Sequence, residues 1–375
     1  MVGERAIEAD VKGAARSRRR LAATIALVFA CALVAVLRLH ECTLLPVDTG
    51  DIVRHLLYGR AVAVHGFAAA AEPLTAFAPD WQEVAWAAFP YSYPPVTLAF
   101  FALVAALLPS VFFAKLALTV LEAVNASLIA RLTGSRWLGV LYWASPMSIW
   151  WVSREGQFEP LQAFFSLLAT LFALLAAPFL CGLAIALAIA VKMTAAALLP
   201  WLAVRLWQSG RRACAWAAAG FIVGCLPLLA AQVAYGGVSN VLRFGRLLVY
   251  NPYYWNPFAD MFAWNPPWQV ALDEVASYAM LVVLLVLAMR SGARLSWLAA
   301  IVFLVFCKLH SNVQFWYFLL LPSFLVTIPD RRWRFALIAL CPLLDLRGSF
   351  EVLLGPVGPN RFHGLPSAFD RYPVP

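Results

Sequence analysis

The sequence predicts an all-α, polytopic membrane protein of roughly ten spans, with two long outer loops and no soluble domain. Three observations carry this. Of its residues 63% are hydrophobic and 13% charged, with a mean hydropathy of +0.80, whereas a soluble domain is about half apolar and about a quarter charged. The apolar residues gather into runs close to the length of a helix that crosses a bilayer. The basic residues sit in short clusters at the ends of those runs, as the positive-inside rule expects. The net charge of +9 is therefore read as membrane topology and not as a nucleic-acid surface.

The elements follow in order. Residues 1–20 are polar and end in Arg16-Ser-Arg18-Arg19-Arg20, a cytoplasmic basic N-terminus. The apolar run from Leu21 to Leu37 has the charged and hydrophobic regions of a signal peptide. It is long, however, and is followed by Arg38, His40 and Glu41 without a small-x-small cleavage site, so it reads as an uncleaved first span. The membrane domain is assigned to residues 21–346. Its first outer loop, 40–95, closes on Pro90-Tyr91-Ser92-Tyr93-Pro94-Pro95, where the prolines bar a helix. Within that loop, residues 52–64 are expected to form an amphipathic interfacial helix with Ile52, Leu56 and Ala63 on one side.

Apolar segments follow at 96–109, 111–131, 137–152, 158–178, 181–204 and 213–233, several of them short enough to be half-helices or re-entrant. Arg205, Arg211 and Arg212 mark a cytoplasmic turn, and Asp330-Arg331-Arg332-Trp333-Arg334 a second, both with the right parity. Arg131 and Arg136 fall on the outer side in this count. Between the two turns lie an aromatic-rich outer loop, 234–274, and spans at 275–289, 295–309 and 313–329. A short span at 335–346 leads to a Gly/Pro-rich tail, 347–375. Of the seven cysteines, only Cys42 is expected to face outward, and no C-x-x-C spacing suggests a disulfide framework or a metal.

Chemistry concentrates at Asp48-Thr-Gly-Asp51-Ile-Val-Arg54-His55. If Asp51 starts a helix, Arg54 and His55 lie three and four residues on, over the same face. That gathers carboxylates, a guanidinium and an imidazole at a membrane–water boundary. The lysines are informative too. Lys12, Lys115, Lys192 and Lys308 are four of the 28 basic residues, and three of the four lie within or at the edge of apolar segments, where a charge costs at least ~2.5–3.5 kcal/mol. Lys115, Glu122 and Asn125 share one helix face, and read either as an intramembrane polar clamp or as part of a site. Lys192 has no charge near it in sequence, so its partner is either a distant carboxylate or an anionic ligand. Lys308, His310 and Gln314 close to Trp316 and Tyr317 read either as a snorkelling lysine with an aromatic belt or as a site. Ser153-Arg154-Glu155-Gly156-Gln157-Phe158-Glu159 reads either as a plain loop or as a second part of that site.

In this order the motifs resemble a known family. Phe113-Ala-Lys115 with Glu122 and Arg131 comes first, then Ser145-Pro146, then Ser153-Arg154-Glu-Gly156-Gln157 with Glu159. Val191-Lys192-Met and Leu199-Pro200 follow, then Cys307-Lys308, Gln314-Phe-Trp316-Tyr317 and Leu321-Pro322. Together with Tyr91-Ser-Tyr93-Pro-Pro95, the set resembles the catalytic subunit of GPI mannosyltransferase I, and more broadly the GT-C superfamily of polyprenyl-phosphate-sugar-dependent glycosyltransferases. The resemblance covers roughly residues 45–330. The chain departs from the family pattern in having Asp48-Thr-Gly-Asp51 for D-x-D, Ser92 for an arginine, and Arg154-Glu-Gly156-Gln157 for an arginine-glycine-asparagine run.

The resemblance implies a GT-C-like fold and transfer of a sugar, with mannose favoured, from a polyprenyl-phosphate donor. The acceptor (lipid, glycan or protein) is left open. The configuration is inverted, no cofactor is required and a divalent metal is optional. Asp51 is expected to be the general base, with Asp48 as its helper. Arg54, His55, Tyr93, Arg154, Gln157, Glu159, Lys192, Lys308, His310 and Gln314 are expected to bind substrate. No residue set is assigned to a metal. Bacteria that carry related enzymes make no GPI anchors, so the chemistry class carries over better than the acceptor. The expected location is a bacterial plasma (inner) membrane, with the site placed on the outer side by the parity of the cytoplasmic arginines. The competing class is a multi-span transporter or flippase of an anionic or lipid-linked substrate, in which the lysines bind moving cargo.

Overall fold

The structure, a computed structural model, describes residues 2–46, 51–77, 84, 87–240, 279, 283, 315–328 and 330–345. The described residues are helical or in short turns, with no strand among them. This agrees with the solvent: lipid offers backbone groups no partner, so a spanning chain must bond to itself. Spans 275–289 and 295–309, most of the loop 234–274 and the tail 347–375 fall largely or wholly outside the described residues, as do Asp48, Lys308, His310 and Gln314.

A single helix, Val2–Thr43, carries both the basic N-terminus and the first apolar run. Its portion Leu21–Thr43 is long and apolar enough to cross a bilayer, as are Val111–Thr133 and Arg211–Tyr235. The pair Pro146–Arg154 and Glu159–Leu174 is apolar enough for a further candidate, a broken span or a re-entrant loop, and bends through 120°. The first candidate span leaves Leu21, Ile25, Phe29, Leu33 and Val36 exposed, and among the described residues it is buried toward its end, at Arg38, Glu41 and Cys42. Cys42 does not face outward: it is buried with its Sγ 3.4 Å from Thr119 Oγ1.

The expected helix after Asp51 forms over Asp51–His65 but is not amphipathic. Ile52 through Gly59 are buried without interruption, while Ala63, assigned to the same side as Ile52 and Leu56, is exposed. The reason is tertiary. The helix packs along Pro95–Leu107, where the missing side chain of Gly59 admits the Phe101 carbonyl, so its polar residues find protein partners instead of water. The Pro-rich approach behaves as expected: Pro94 is extended and Pro95 opens the next helix at its first position.

Two expected spans are broken. The segment 137–152 splits after Trp143. Ser135 caps Arg136–Trp143, then Pro146 starts a new turn that passes into a π-helical stretch, Ile149–Arg154. The segment 181–204 splits at Lys192, whose backbone is extended between the helix Pro178–Val191 and a 3-10 stretch, Met193–Leu198. Arg211–Tyr235 packs along Pro178–Val191 and completes the first bundle. Both breaks fall beside polar residues, the arrangement in which non-helical backbone is tolerated at membrane depth.

Candidate active site

The first turn of the Asp51–His65 helix, the turn after the π-helical stretch and the break at Lys192 meet at one place. Gly156 makes the meeting possible. It has φ +77°, and a side chain on it would collide with Ile52, so the 155–158 turn lies directly against the start of the Asp51 helix. Gln157 consequently hydrogen-bonds the Asp51 carboxylate. Two residues on, Glu159 begins the next helix, and its Oε1 accepts from Lys192 Nζ at 2.5 Å. Lys192 is presented by the break itself: its carbonyl accepts from Ala195 N at 3.3 Å and from Gln162 Nε2 at 2.6 Å. The same amide bonds Thr194 Oγ1 at 2.8 Å.

His55, one turn past Asp51, is fully enclosed. Its ring stacks on Phe101 at 4.9 Å and meets Tyr93 at 4.8 Å and Phe158 at 5.0 Å edge-on. Its Nδ1 lies 3.1 Å from the Tyr91 hydroxyl. The Lys192 ammonium stands 5.4 Å over the Phe158 ring. Arg54 turns toward the Pro-rich approach, donating to Pro90 O at 3.0 Å and Ser92 Oγ at 3.2 Å, with its guanidinium over Tyr58. Ser92 thus serves as an acceptor for Arg54.

The electrostatics follow from burial. Burial pushes the Asp51 carboxyl above the usual carboxylate range, although part of the residue stays accessible. The charge of Arg54, the hydrogen bond from Gln157 and the charge of Lys192 oppose that rise. Burial likewise holds His55 well below its ordinary value, with Arg54 and Lys192 adding to the effect, so its imidazole is neutral at neutral pH. Burial also lifts the Tyr91 phenol well above its ordinary value, which keeps it a neutral partner for His55.

Of the residues expected at the site, Asp51, His55, Tyr93, Gln157, Glu159 and Lys192 come together, with Arg54 beside them. Arg154 does not join them: it pairs with Glu41 at 3.4 Å and lies over Trp150. The expected loop at 153–159 is largely buried structure and not a solvated connection. Phe158 and Gln162 were not anticipated. Gln162 carried a usable signal, since it lies three residues after Glu159 on the same helix face.

A second polar cluster lies among the candidate spans. Glu122 accepts from Tyr142 Oη at 2.7 Å, from Ser148 Oγ, and from Asn125 Nδ2 at 3.4 Å. Arg38 donates to Trp143 O, to Ser148 Oγ at 2.8 Å and to Ser153 Oγ at 3.0 Å. Ser148 therefore bridges the two charged residues. This is the intramembrane clamp reading of Glu122 and Asn125, extended to Arg38. Lys115 is tied separately to Leu44 O at 2.6 Å.

Among the described residues no group of three His, Cys, Asp or Glu side chains is placed to hold a metal. The chain matches no protein-family model and no curated protein sequence.

Proposed function

We propose that the protein is a glycosyltransferase of about ten spans and GT-C-like fold. In this reading it moves a sugar, mannose favoured, from a polyprenyl phosphate to a hydroxyl acceptor at the outer membrane face. The observation that carries this is the meeting of the Asp51 carboxylate with Gln157 and the Lys192–Glu159 pair, on a helix outside the candidate spans. A base and a cation side by side suit a displacement whose leaving group is an anion.

The step balances as follows. The acceptor oxygen attacks the anomeric carbon while its proton passes to the Asp51 carboxylate. The bond from that carbon to the phosphate oxygen breaks, and the electron pair leaves with the polyprenyl phosphate. Fixed cations stabilise the charge that gathers on the phosphate. Lys192 and Arg54, whose charges act on Asp51, are the described candidates, and Lys308 and His310 are expected to add to them. A single displacement of this kind inverts the anomeric configuration. Asp48 is retained as a helper or acceptor contact, and Tyr93, Gln157 and His55 as substrate contacts.

The test is sugar transfer from a polyprenyl-phosphate hexose by the purified protein, with Asp51→Asn as the control. Full activity in that variant removes Asp51 as the base. One observation favours a second reading: two expected spans are broken at polar residues, the way transporters build a midplane site. The same preparation in proteoliposomes separates the two. Uptake or flipping of the donor without any glycosylated product favours transport.

A further inference from the structure

Among the described residues, two buried polar atoms beside Asp51 have no hydrogen-bond partner: His55 Nε2 and Glu159 Oε2. Each belongs to a side chain only 1% exposed, and each is held by its other polar atom. Tyr91 bonds His55 Nδ1, and Lys192 bonds Glu159 Oε1. The ring and the carboxylate therefore cannot turn to satisfy the orphan atom without breaking the bond they have. Such groups cost stability, and a protein keeps them where something else completes them. Both flank Phe158, whose ring stands 5.0 Å from His55 and 5.2 Å from the half-exposed Tyr93. An anion does not suit an unpaired carboxylate oxygen. A hydroxyl suits both atoms, since it donates to the carboxylate and either donates to or accepts from the neutral imidazole. The partly exposed ring of Tyr93 suits the C–H edge of a sugar ring.

We infer that His55 Nε2 and Glu159 Oε2 read hydroxyl groups of the transferred sugar, so that this pair sets which polyhydroxylated ring is accepted. The inference rests on the glycosyl-transfer reading. It gives Glu159 two tasks, orienting Lys192 through one oxygen and selecting the sugar through the other, with approach over the partly exposed Asp51 and Tyr93. Removing a hydroxyl from the substrate then leaves a buried protein atom unpaired, which is a heavy penalty, whereas a site without such atoms tolerates the loss.

The experiment compares kcat/KM for a polyprenyl-phosphate hexose and for each of its monodeoxy analogues. The full-length protein and its His55→Phe and Glu159→Gln variants are assayed in parallel. The native protein is expected to disfavour one or two analogues by at least roughly tenfold. Each variant is expected to lose the discrimination at one position and keep it at the others. Because the readout is a ratio within one protein, general damage to the rate does not imitate it. His55→Asn and Glu159→Asp replace any variant whose thermal unfolding shows that it has not folded. Equal use of every analogue by the native protein overturns the inference, as does discrimination that survives unchanged in the variants. In both cases transfer itself persists, so glycosyl transfer stands. If no polyprenyl-phosphate sugar is turned over at all, the glycosyl-transfer reading fails and the inference with it.

Discussion

The molecule buries two clusters of ionisable side chains built from similar parts, and they are completed to different degrees. In the cluster of Arg38, Glu122, Tyr142 and Ser148, both carboxylate oxygens of Glu122 and all three guanidinium nitrogens of Arg38 are hydrogen-bonded. In the cluster of Asp51, His55, Glu159 and Lys192, a carboxylate oxygen and an imidazole nitrogen are not, and Asp51 is partly exposed. The charged atoms of the first cluster are all bonded and fasten the end of the first candidate span to the bundle, although Asn125 Oδ1 and Trp143 Nε1 beside them have no partner among the described residues. A cluster with an unpaired carboxylate oxygen that reaches the surface is prepared for something the chain itself does not supply. Burial alone does not separate these cases, since Glu122 and Glu159 are equally enclosed; the pairing of their carboxylate oxygens does, both being bonded in Glu122 and one in Glu159.

The comparison is broken first at Asp51. Asp51→Asn is expected to lower kcat for sugar transfer by about 10²–10⁴-fold, the usual contribution of a general base, with thermal stability close to that of the native protein. A variant that unfolds early while keeping its turnover would move Asp51 into the structural class. The mirror experiment is Glu122→Leu. It leaves Arg38 buried without its counter-charge, at a cost of about 3–5 kcal/mol. A marked drop in the unfolding midpoint is expected, along with near-native kcat in whatever fraction remains folded. Should Glu122→Leu be stable and inactive, the two clusters would have to exchange roles.

Gly156→Ala sits between them. The residue is at φ +77°, and a side chain there meets Ile52, so the turn must lift from the Asp51 helix and carry Gln157 with it. Misplacement of about 1 Å near a reacting centre costs up to about 100-fold in rate. We expect a loss of that order in kcat, with only modest destabilisation, read from initial rates and from the unfolding curve of the same preparation.

How much of this was legible beforehand differs by level. Composition and run lengths carry the helical membrane class, because lipid leaves a spanning backbone few choices. The start of a helix at Asp51, with Arg54 and His55 one turn on, was legible from spacing. The break at Lys192 was not. The apolar run continues through it, and the interruption depends on the Gln162 amide taking the Lys192 carbonyl from a different helix. Lys192 could only be assigned a distant partner, and Glu159, 33 residues earlier, became identifiable once the fold was formed. Arg38 read as the end of a span, since nothing local signals that Ser148 and Ser153 will line up to receive it. The even amphipathicity expected for 52–64 failed for the same reason: protein partners stand where water was assumed.

The smallest effect separates the clusters most cleanly, because it concerns a position along the pH axis and not a rate. A general base works ionised, so on the acid side kcat/KM rises as Asp51 loses its proton. Burial raises the pH at which that happens, and the positive charge of Lys192 holds the rise in check. Lys192→Met removes that check, and the Glu159 carboxylate left behind without its ammonium pushes the same way. The acid limb of the profile is therefore expected to move to higher pH, whatever happens to its height, while Lys192→Arg keeps the charge and leaves the limb close to its native place. Lys115→Met is the control, a buried lysine outside both clusters. That ammonium is tied to Leu44 O and is not among the charges acting on Asp51, so its removal is expected to lower stability without moving the limb. An acid limb that stays in place in Lys192→Met means that the titrating group is not the Asp51 carboxylate, even if the variant has lost most of its activity.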